Sequence, residues 1–248
     1  MKRIIFILLV CTFGFVVNET CPLRDNPAGG VALWHFDADV ANPIDIIGGH
    51  NLSPKAVNEP YWISTGCFSG AYRFVGNNTD GTYLTYASDA SWAFGTGGFT
   101  VMCWVRHYAE QDSWYFGTAH NTGNFSVYPF IFITQPLPTV GQELRVYIVG
   151  GGGDLMVPFD IDSYLNVWVH LVATRLNGYI YIYINAQVAG SAANSDNVAQ
   201  DILTIGGNGS GGNGFYGDMD MDDVAVFSVG LSSGAIQQIY YQQIGRHR

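Results

Sequence analysis

The amino-acid sequence predicts an all-β domain, an antiparallel sandwich or barrel. Short runs of aromatic and β-branched residues recur along the chain, divided by clusters of Gly, Asn, Asp and Pro. Helical periodicity is nearly absent. Aromatic residues make up 15% of the chain and charged residues only 12%, which suits a large core built from strand formers.

Strands are expected at GVALWHFD (30–37), AYRFVG (71–76), FTVMCWVRH (99–107), FIFIT (130–134), ELRVYIV (143–149), WVHLVATR (168–175), YIYIYIN (179–185) and DMDMDDVAVF (218–227). Asn177-Gly178 lies between two such runs and is the strongest hairpin signal, because both residue types accept the positive φ of a two-residue turn. One helix is expected near the carboxyl end. Ser232 or Ser233 can cap it, and Ile236, Ile239 and Tyr240 form its apolar stripe. No fixed period repeats, so a single domain is expected.

The chain opens MKRIIFILLVCTFGFVV, two basic residues before an apolar run, the pattern of a secretory signal peptide too short to span a bilayer comfortably. Residues 1–18 are therefore read as a signal peptide, 19–28 as an amino-terminal segment and 29–248 as the domain. An uncleaved anchor is the alternative. The expected location is extracellular, with no stable membrane insertion after signal removal. The formal charge of −10 becomes more negative once Lys2 and Arg3 leave. Such a surface repels phosphate backbones, so nucleic acid is an unsuitable partner, whereas cations and neutral ligands suit it. Of the four cysteines, Cys11 leaves with the signal. An odd number then remains in an oxidising compartment. A Cys21–Cys67 bridge is expected, with Cys103 a buried thiol inside its apolar strand. All three reduced is the alternative.

The segments GVALWHFD, GCFSGAYRF (66–74), GGFTVMCWVR, WVHLVATRLNGYIYIYINAQ and LTIGGNG…GFYGDMDMDDVAVFSVGLSSGAIQQIY resemble, in this order, the laminin-G-like domains of the concanavalin A-like class. The resemblance runs from about Gly29 to Tyr241. It implies a two-sheet antiparallel jelly-roll sandwich with a short carboxyl-terminal helix. Trp34, Trp104 and Trp168 match framework positions and are expected in the core. His170 matches a position expected to be a satisfied interior histidine. The sequence departs from the family at an extra Asp-Met pair before Asp222 and in the aromatic-rich stretch between Arg106 and Phe130.

The acidic run Asp218 to Asp223 is the foremost candidate for chemistry. Strand alternation sets Asp218, Asp220 and Asp222 on one face and Met219, Met221 and Asp223 on the other. Carboxylates that close suit a hard cation such as calcium. The resemblance implies a structural calcium held by Asp222 and Asp37, with Asp39 added by proximity. A solvated acidic strand is the alternative. Catalysis is not expected. The four glutamates, Glu19, Glu59, Glu110 and Glu143, are scattered, and no two fall in one strand as a catalytic pair would need. The Glu-x-Asp-x-Glu strand of laminarinase-type enzymes is missing, and His170 and Arg145 lack the motifs that surround them in alginate lyases. No histidines show metal-ligand spacing, and no serine sits in a nucleophile elbow. The glycine tracts 150–153 and 206–214 lead into strands and are read as turns, not phosphate cradles.

For ligand contact, Tyr179, Tyr181 and Tyr183 are expected to point outward, opposite Ile180, Ile182 and Ile184. Flat rings with a hydroxyl at the edge suit sugars or a protein interface; burial by a loop is the alternative. Trp114 and Tyr115 are a second candidate pair, with Trp62 and Trp92 as looser ones. Sequons fall at Asn18, Asn51, Asn77, Asn124 and Asn208. The expected function is a secreted, non-catalytic recognition module for a glycan or an extracellular protein. The alternatives are a coat, matrix or appendage subunit that self-associates and, third, a polysaccharide-cleaving enzyme.

Overall fold

Strand alternation with two apolar faces to bury forces the chain into two layers around a shared core. The computed structural model describes residues 28–54, 59–76, 81–118, 128–137, 141–149, 154–209 and 215–245. Its strands are β1 (Gly30–Trp34), β2 (Ser53–Pro54), β3 (Tyr61–Ile63), β4 (Ala71–Phe74), β5 (Leu84–Tyr86), β6 (Phe99–His107), β7 (Ser113–Thr118) and β8 (Phe130–Leu137). They continue with β9 (Gly141–Ile148), β10 (Leu155–Phe159), β11 (Trp168–Leu176), β12 (Tyr179–Ile184), β13 (Gln187–Ala193), β14 (Leu203–Ile205) and β15 (Met219–Phe227). The helix α1 spans Ser233–Ile244.

The first sheet has the order β13-β12-β11-β6-β15-β4-β3, with β1 also paired to β15. The second has the order β10-β9-β8-β7-β14-β5-β2. Every ladder is antiparallel. The two sheets form the jelly-roll sandwich. Its core takes Trp34, Val105, Leu171, Ile180 and Ile182 from the first sheet and Phe116, Phe132, Leu144 and Val146 from the second. The hairpin between β11 and β12 turns through Asn177 and Gly178 at φ 52° and 78°. The helix begins at Ser232, whose hydroxyl accepts from the Ala235 N–H at 3.3 Å. Ile236 and Ile239 press it onto Leu33, Met102, Val172 and Phe227, on the outer face of the first sheet.

All nine residues of β15 are buried. Met219 and Met221 face the core, and so do Val224 and Val226. The parity changes because a bulge falls between Asp222 and Ala225, with Asp223 at φ 45°. Asp220, Asp222 and Asp223 therefore all turn away from the core, which corrects the expectation that Asp223 shares the methionine face. Each carboxylate is answered from a distant part of the chain. Asp220 accepts from Arg106 Nε at 3.0 Å and Nη2 at 2.6 Å, from the Tyr108 hydroxyl at 2.6 Å, and from Arg73 Nη1 at 3.4 Å. Asp222 accepts the N–H groups of Cys67, Phe68 and Asp223 at 2.8, 3.2 and 2.8 Å. Asp223 contacts His35 Nδ1 and accepts from Gln243 Nε2 at 2.8 Å. Gln243 in turn accepts from Trp104 Nε1 at 2.9 Å, locking α1 to the sheet.

Two interior histidines are neutral. Burial pushes His107 and His170 each down to about 3. His170 is buried as expected, yet neither of its ring nitrogens has a hydrogen-bond partner. Its ring lies against Trp104 and Tyr240 instead.

Two stability predictions follow from these buried groups. An unfolded histidine gains its proton near pH ~6.5, so between that value and the folded value the unfolded state binds more protons. Stability should therefore fall as the pH drops below about 6.5, by up to ~1.4 kcal/mol per pH unit for each ring. Urea denaturation across that range should show a shallower slope for His170→Phe; an unchanged slope contradicts a neutral buried ring. Asp220→Ala strands two arginines beside a fully buried position and should cost about 3 kcal/mol. Asp218→Ala, where the side chain is 29% exposed, should cost less than about 1 kcal/mol. Equal losses would refute the assigned pairing.

Candidate functional site

On the outer face of the first sheet, five strands align one residue each in a straight row. Tyr61 of β3 pairs with Arg73 of β4, Arg73 with Asp220 of β15, Asp220 with Arg106 of β6, and Arg106 with Trp168 of β11. Four strand spacings make the row about 19 Å long. Its middle is Asp220, with the two guanidiniums on either side and an aromatic ring at each end. Tyr61 is 54% exposed, and Trp168 is half-buried. Tyr108 leans over the row, its ring centroid 3.7 Å from the Arg73 guanidinium and 5.5 Å from that of Arg106. Arg106 also lies 4.9 Å from the Trp168 ring. Such cation–π packing holds both guanidiniums flat and in place.

The charges of this row balance locally. Arg73 Nη2 donates to Asp218 at 2.6 Å, so two arginines face two aspartates. Each guanidinium carries five N–H donors, more than the carboxylates take up. The result is a rigid strip of donors and acceptors between ring faces, the chemistry that grips hydroxyl-rich, uncharged surfaces. Burial raises the Tyr108 hydroxyl above its usual range, and its bond to Asp220 adds to the rise, so it stays a donor. Trp168 was expected in the core. It sits instead on the outer parity of β11, shared with Arg106 and Asp220 on their strands. The alternation was visible in the sequence; the partners across the strands were not.

The residues singled out from sequence fall elsewhere. Ile180 and Ile182 enter the core, and the three tyrosines of β12 stand on the opposite face with successive ring centroids 6.4 Å apart. Tyr179 is 49% exposed, Tyr181 is half-buried, and Tyr183 is buried against the α1 layer. Trp114 and Tyr115 are both fully buried, so neither offers a ring to a surface ligand. Strand alternation sends them to opposite sides, and a bulge at Tyr115 lets Phe116 reach the core beside it. Trp114 joins Tyr128, Ile131, Ile133 and Phe215 outside the second sheet, and Tyr115 enters the core, where its hydroxyl meets His107 Nε2 at 3.1 Å. Trp92 is buried. Trp62 spends its indole N–H on the Phe36 carbonyl at 2.9 Å.

For the expected calcium, Asp37 and Asp39 are exposed beyond the end of β1. Asp222 is near enough to Asp37 to feel its charge. Its carboxyl is raised well above the usual range, first by burial, then by Asp223, with Asp37 adding to the rise. Its oxygens, however, point at three backbone N–H donors, and those of Asp223 at His35 and Gln243. Among the described residues no group of three or more His, Cys, Asp or Glu converges as a cation site. The donor set does not fit a hard-oxygen ion, which needs six or more oxygens turned inward. Cys67 is buried, and its expected partner Cys21 lies outside the described residues. Cys103 is a free thiol in the core, where burial raises its pKa. Of the sequons, Asn51 is exposed and Asn208 is 2% exposed. Asn18, Asn77 and Asn124 lie outside the described residues, as does the 150–153 glycine tract.

One constellation escaped the sequence reading. Asp45 Oδ2 meets His50 Nδ1 at 2.8 Å, and His50 Nε2 meets Ser91 Oγ at 3.1 Å. The order of groups is that of a hydrolytic triad. Its surroundings are structural. The Asp45 carboxylate also accepts the N–H groups of Leu33, Ile47, Gly48 and His50. Burial alone would raise it, but these bonds hold it below its usual value. Asp89 accepts the Ser91 N–H at 2.8 Å, so a negative charge stands where a reacting oxyanion would need donors. The chain of bonds fastens the 43–52 loop to the turn at Asp89.

The fold is similar to that of several solved structures. The receptor binding domain of botulinum neurotoxin C/D mosaic serotype matches with a TM-score of 0.61 and 15% identity over 88% of this chain and 52% of that one. The binding domain of Paraclostridial Mosquitocidal Protein 1 gives 0.64 and 15% over 88% and 52%. Trypanosoma rangeli sialidase in complex with sialic acid gives 0.62 and 14% over 88% and 34%. The chain thus spans about half of the first two and about a third of the sialidase. No curated protein matches the sequence. Residues 75–237, from the end of β4 into α1, match the model of the concanavalin A-like lectin/glucanases superfamily, and the chain belongs to that superfamily.

Proposed function

We propose that the protein is an extracellular, non-catalytic recognition module that binds glycan across the outer face of its first sheet. The observation that carries this reading is the row Tyr61–Arg73–Asp220–Arg106–Trp168. Stacking faces stand at its two ends and fixed hydrogen-bonding groups between them. A sugar chain presents alternating C–H faces and hydroxyls, and the strand spacing is comparable to one pyranose unit. The superfamily and the binding domains of similar fold support the class of function. The basic-then-apolar opening supports secretion. In an oxidising compartment Cys67 pairs with Cys21, while Cys103 stays a core thiol. Asn51 is open to glycosylation and Asn208 is too enclosed for it.

The absence of catalysis in this reading rests on how the acids are used. Asp220, Asp222 and Asp223 are each committed to internal partners, and a glycosidase needs a carboxyl pair about 5–10 Å apart facing the substrate. The site works without calcium, because arginines and an aromatic bracket, not an ion, hold its geometry. A protein contact, self-association included, is favoured by a different surface. Tyr179 of β12 and Val188 of β13, the end strand of the first sheet among the described residues, are 49% and 57% exposed.

A glycan array probed with the secreted chain, with and without chelator, should show calcium-independent binding. Trp168→Ala and Tyr61→Ala should each weaken the best glycan about tenfold, near 1.4 kcal/mol. Tyr61 is exposed enough that its loss leaves melting unchanged. The bound glycan should be recovered at its original length. Binding untouched by both substitutions, or shortening of the glycan, would overturn the proposal.

A further inference from the structure

The segment that follows β1 folds over a cavity that shares no residue with the row. Its volume is about 230 Å³, and its lining is almost wholly apolar. The rings of Phe36 and Tyr72, with centroids 5.0 Å apart and planes tilted by 54°, form one wall. Val40, Pro43, Ile44 and Ile46 form another. Ile44 and Ile46 remain 55% and 50% exposed and so mark its mouth. Phe36 holds φ 57°, a left-handed conformation that a bulky residue rarely adopts. The Trp62 indole N–H donates to the Phe36 carbonyl at 2.9 Å and helps to hold it there. Gly70 makes that meeting possible, since a Cβ on it would stand 2.2 Å from the indole nitrogen and 2.7 Å from the Phe36 oxygen. Backbone strain kept in place by its surroundings is concentrated at functional sites.

The polar groups around these walls are already engaged. The Tyr72 hydroxyl donates to the Val40 carbonyl, the Phe36 carbonyl accepts from Trp62, and His35 Nδ1 contacts Asp223. A sugar or an ion entering here would give up water and find those groups taken. A water molecule, which needs several polar partners, is served no better. An apolar ring gains by leaving water for such walls. Size narrows the class further. An apolar cavity of about 150 Å³ accommodates benzene, so this one has room for a fused pair of rings or a ring with a short alkyl chain. The tilted rings of Phe36 and Tyr72 suit an edge-to-face or offset guest ring. The mouth argues against a macromolecule. Among the large apolar residues of the lining, Ile44 and Ile46 alone are exposed, a patch far below the roughly 800 Å² per partner of a stable protein interface. A second copy would also bring a further charge of −10 toward the exposed Asp37 and Asp39.

We infer that this cavity binds a small, uncharged aromatic molecule of one or two rings. Ethylbenzene is a simple probe, titrated into the full chain and followed by NMR on the methyl groups of Ile44 and Ile46. Their resonances should shift and saturate at one-to-one stoichiometry. Phenylacetate and benzylammonium are close in shape but carry a negative and a positive charge, and each should bind at least about tenfold more weakly. Ile44→Trp should close the mouth and weaken ethylbenzene at least about tenfold, with the melting temperature unchanged because the position is exposed. Ile46→Trp should do the same independently. Trp168→Ala should bind ethylbenzene like the parent, so failure of the glycan reading leaves this one standing. Shifts that do not saturate, a charged analogue that binds as tightly, or tryptophan variants that both bind like the parent would each overturn the inference. So would shifts that follow protein concentration in place of ethylbenzene, the mark of contact between copies.

Discussion

The burial of β15 is the constraint on which its surroundings depend. A central strand must lie between neighbours, and this one brings three aspartates into a fully covered position. An isolated buried carboxylate is far too costly to keep ionised, so each needs partners with good geometry. The chain supplies three different solutions. Asp220 takes two arginines and a tyrosine from β6, β4 and the turn after β6. Asp222 takes backbone N–H groups from the 66–70 loop. Asp223 takes an imidazole from the end of β1 and an amide from α1. The bulge at Asp223 makes this arrangement feasible, because it turns the second member of an Asp-Asp pair to the same side as the first.

The external surface inherits its features from those solutions. Arg73 and Arg106 lie flat beside Asp220, and their flatness lets Tyr108 and Trp168 stack on them. The row is thus a by-product of housing a carboxylate. The His35–Asp223–Gln243–Trp104 chain does similar service for α1. It also holds the chain after β1 where Phe36 and Tyr72 can wall a cavity.

Much of this fold was legible in the sequence. The limits of β6 and the turn at Asn177-Gly178 follow from local pattern alone, as does the inward set of Ile180 and Ile182. The short strands β2, β3, β5 and β14 left no such pattern, because two or three residues cannot establish a period. The site was less legible. Strict alternation placed Asp223 with the methionines, and a bulge is invisible to a period of two. Trp114 and Tyr115 read as surface candidates because their stretch departs from the family. Tyr128 and Phe215 cover Trp114, and the core around Phe132 and His107 takes in Tyr115. The partners of Asp220 lie on strands that meet it only through the sheet order, so the sequence showed the acidic run without the two arginines that face Asp220.

The central claim is that internal partners, not a metal ion, satisfy the acidic closing strand. Its most direct test is thermal melting of the parent chain and of Asp222→Ala, each in calcium and in chelator. This account predicts one melting temperature for the parent in both buffers and an equal lowering by Asp222→Ala in both. A parent stabilised by calcium, with that gain lost in Asp222→Ala, would contradict it.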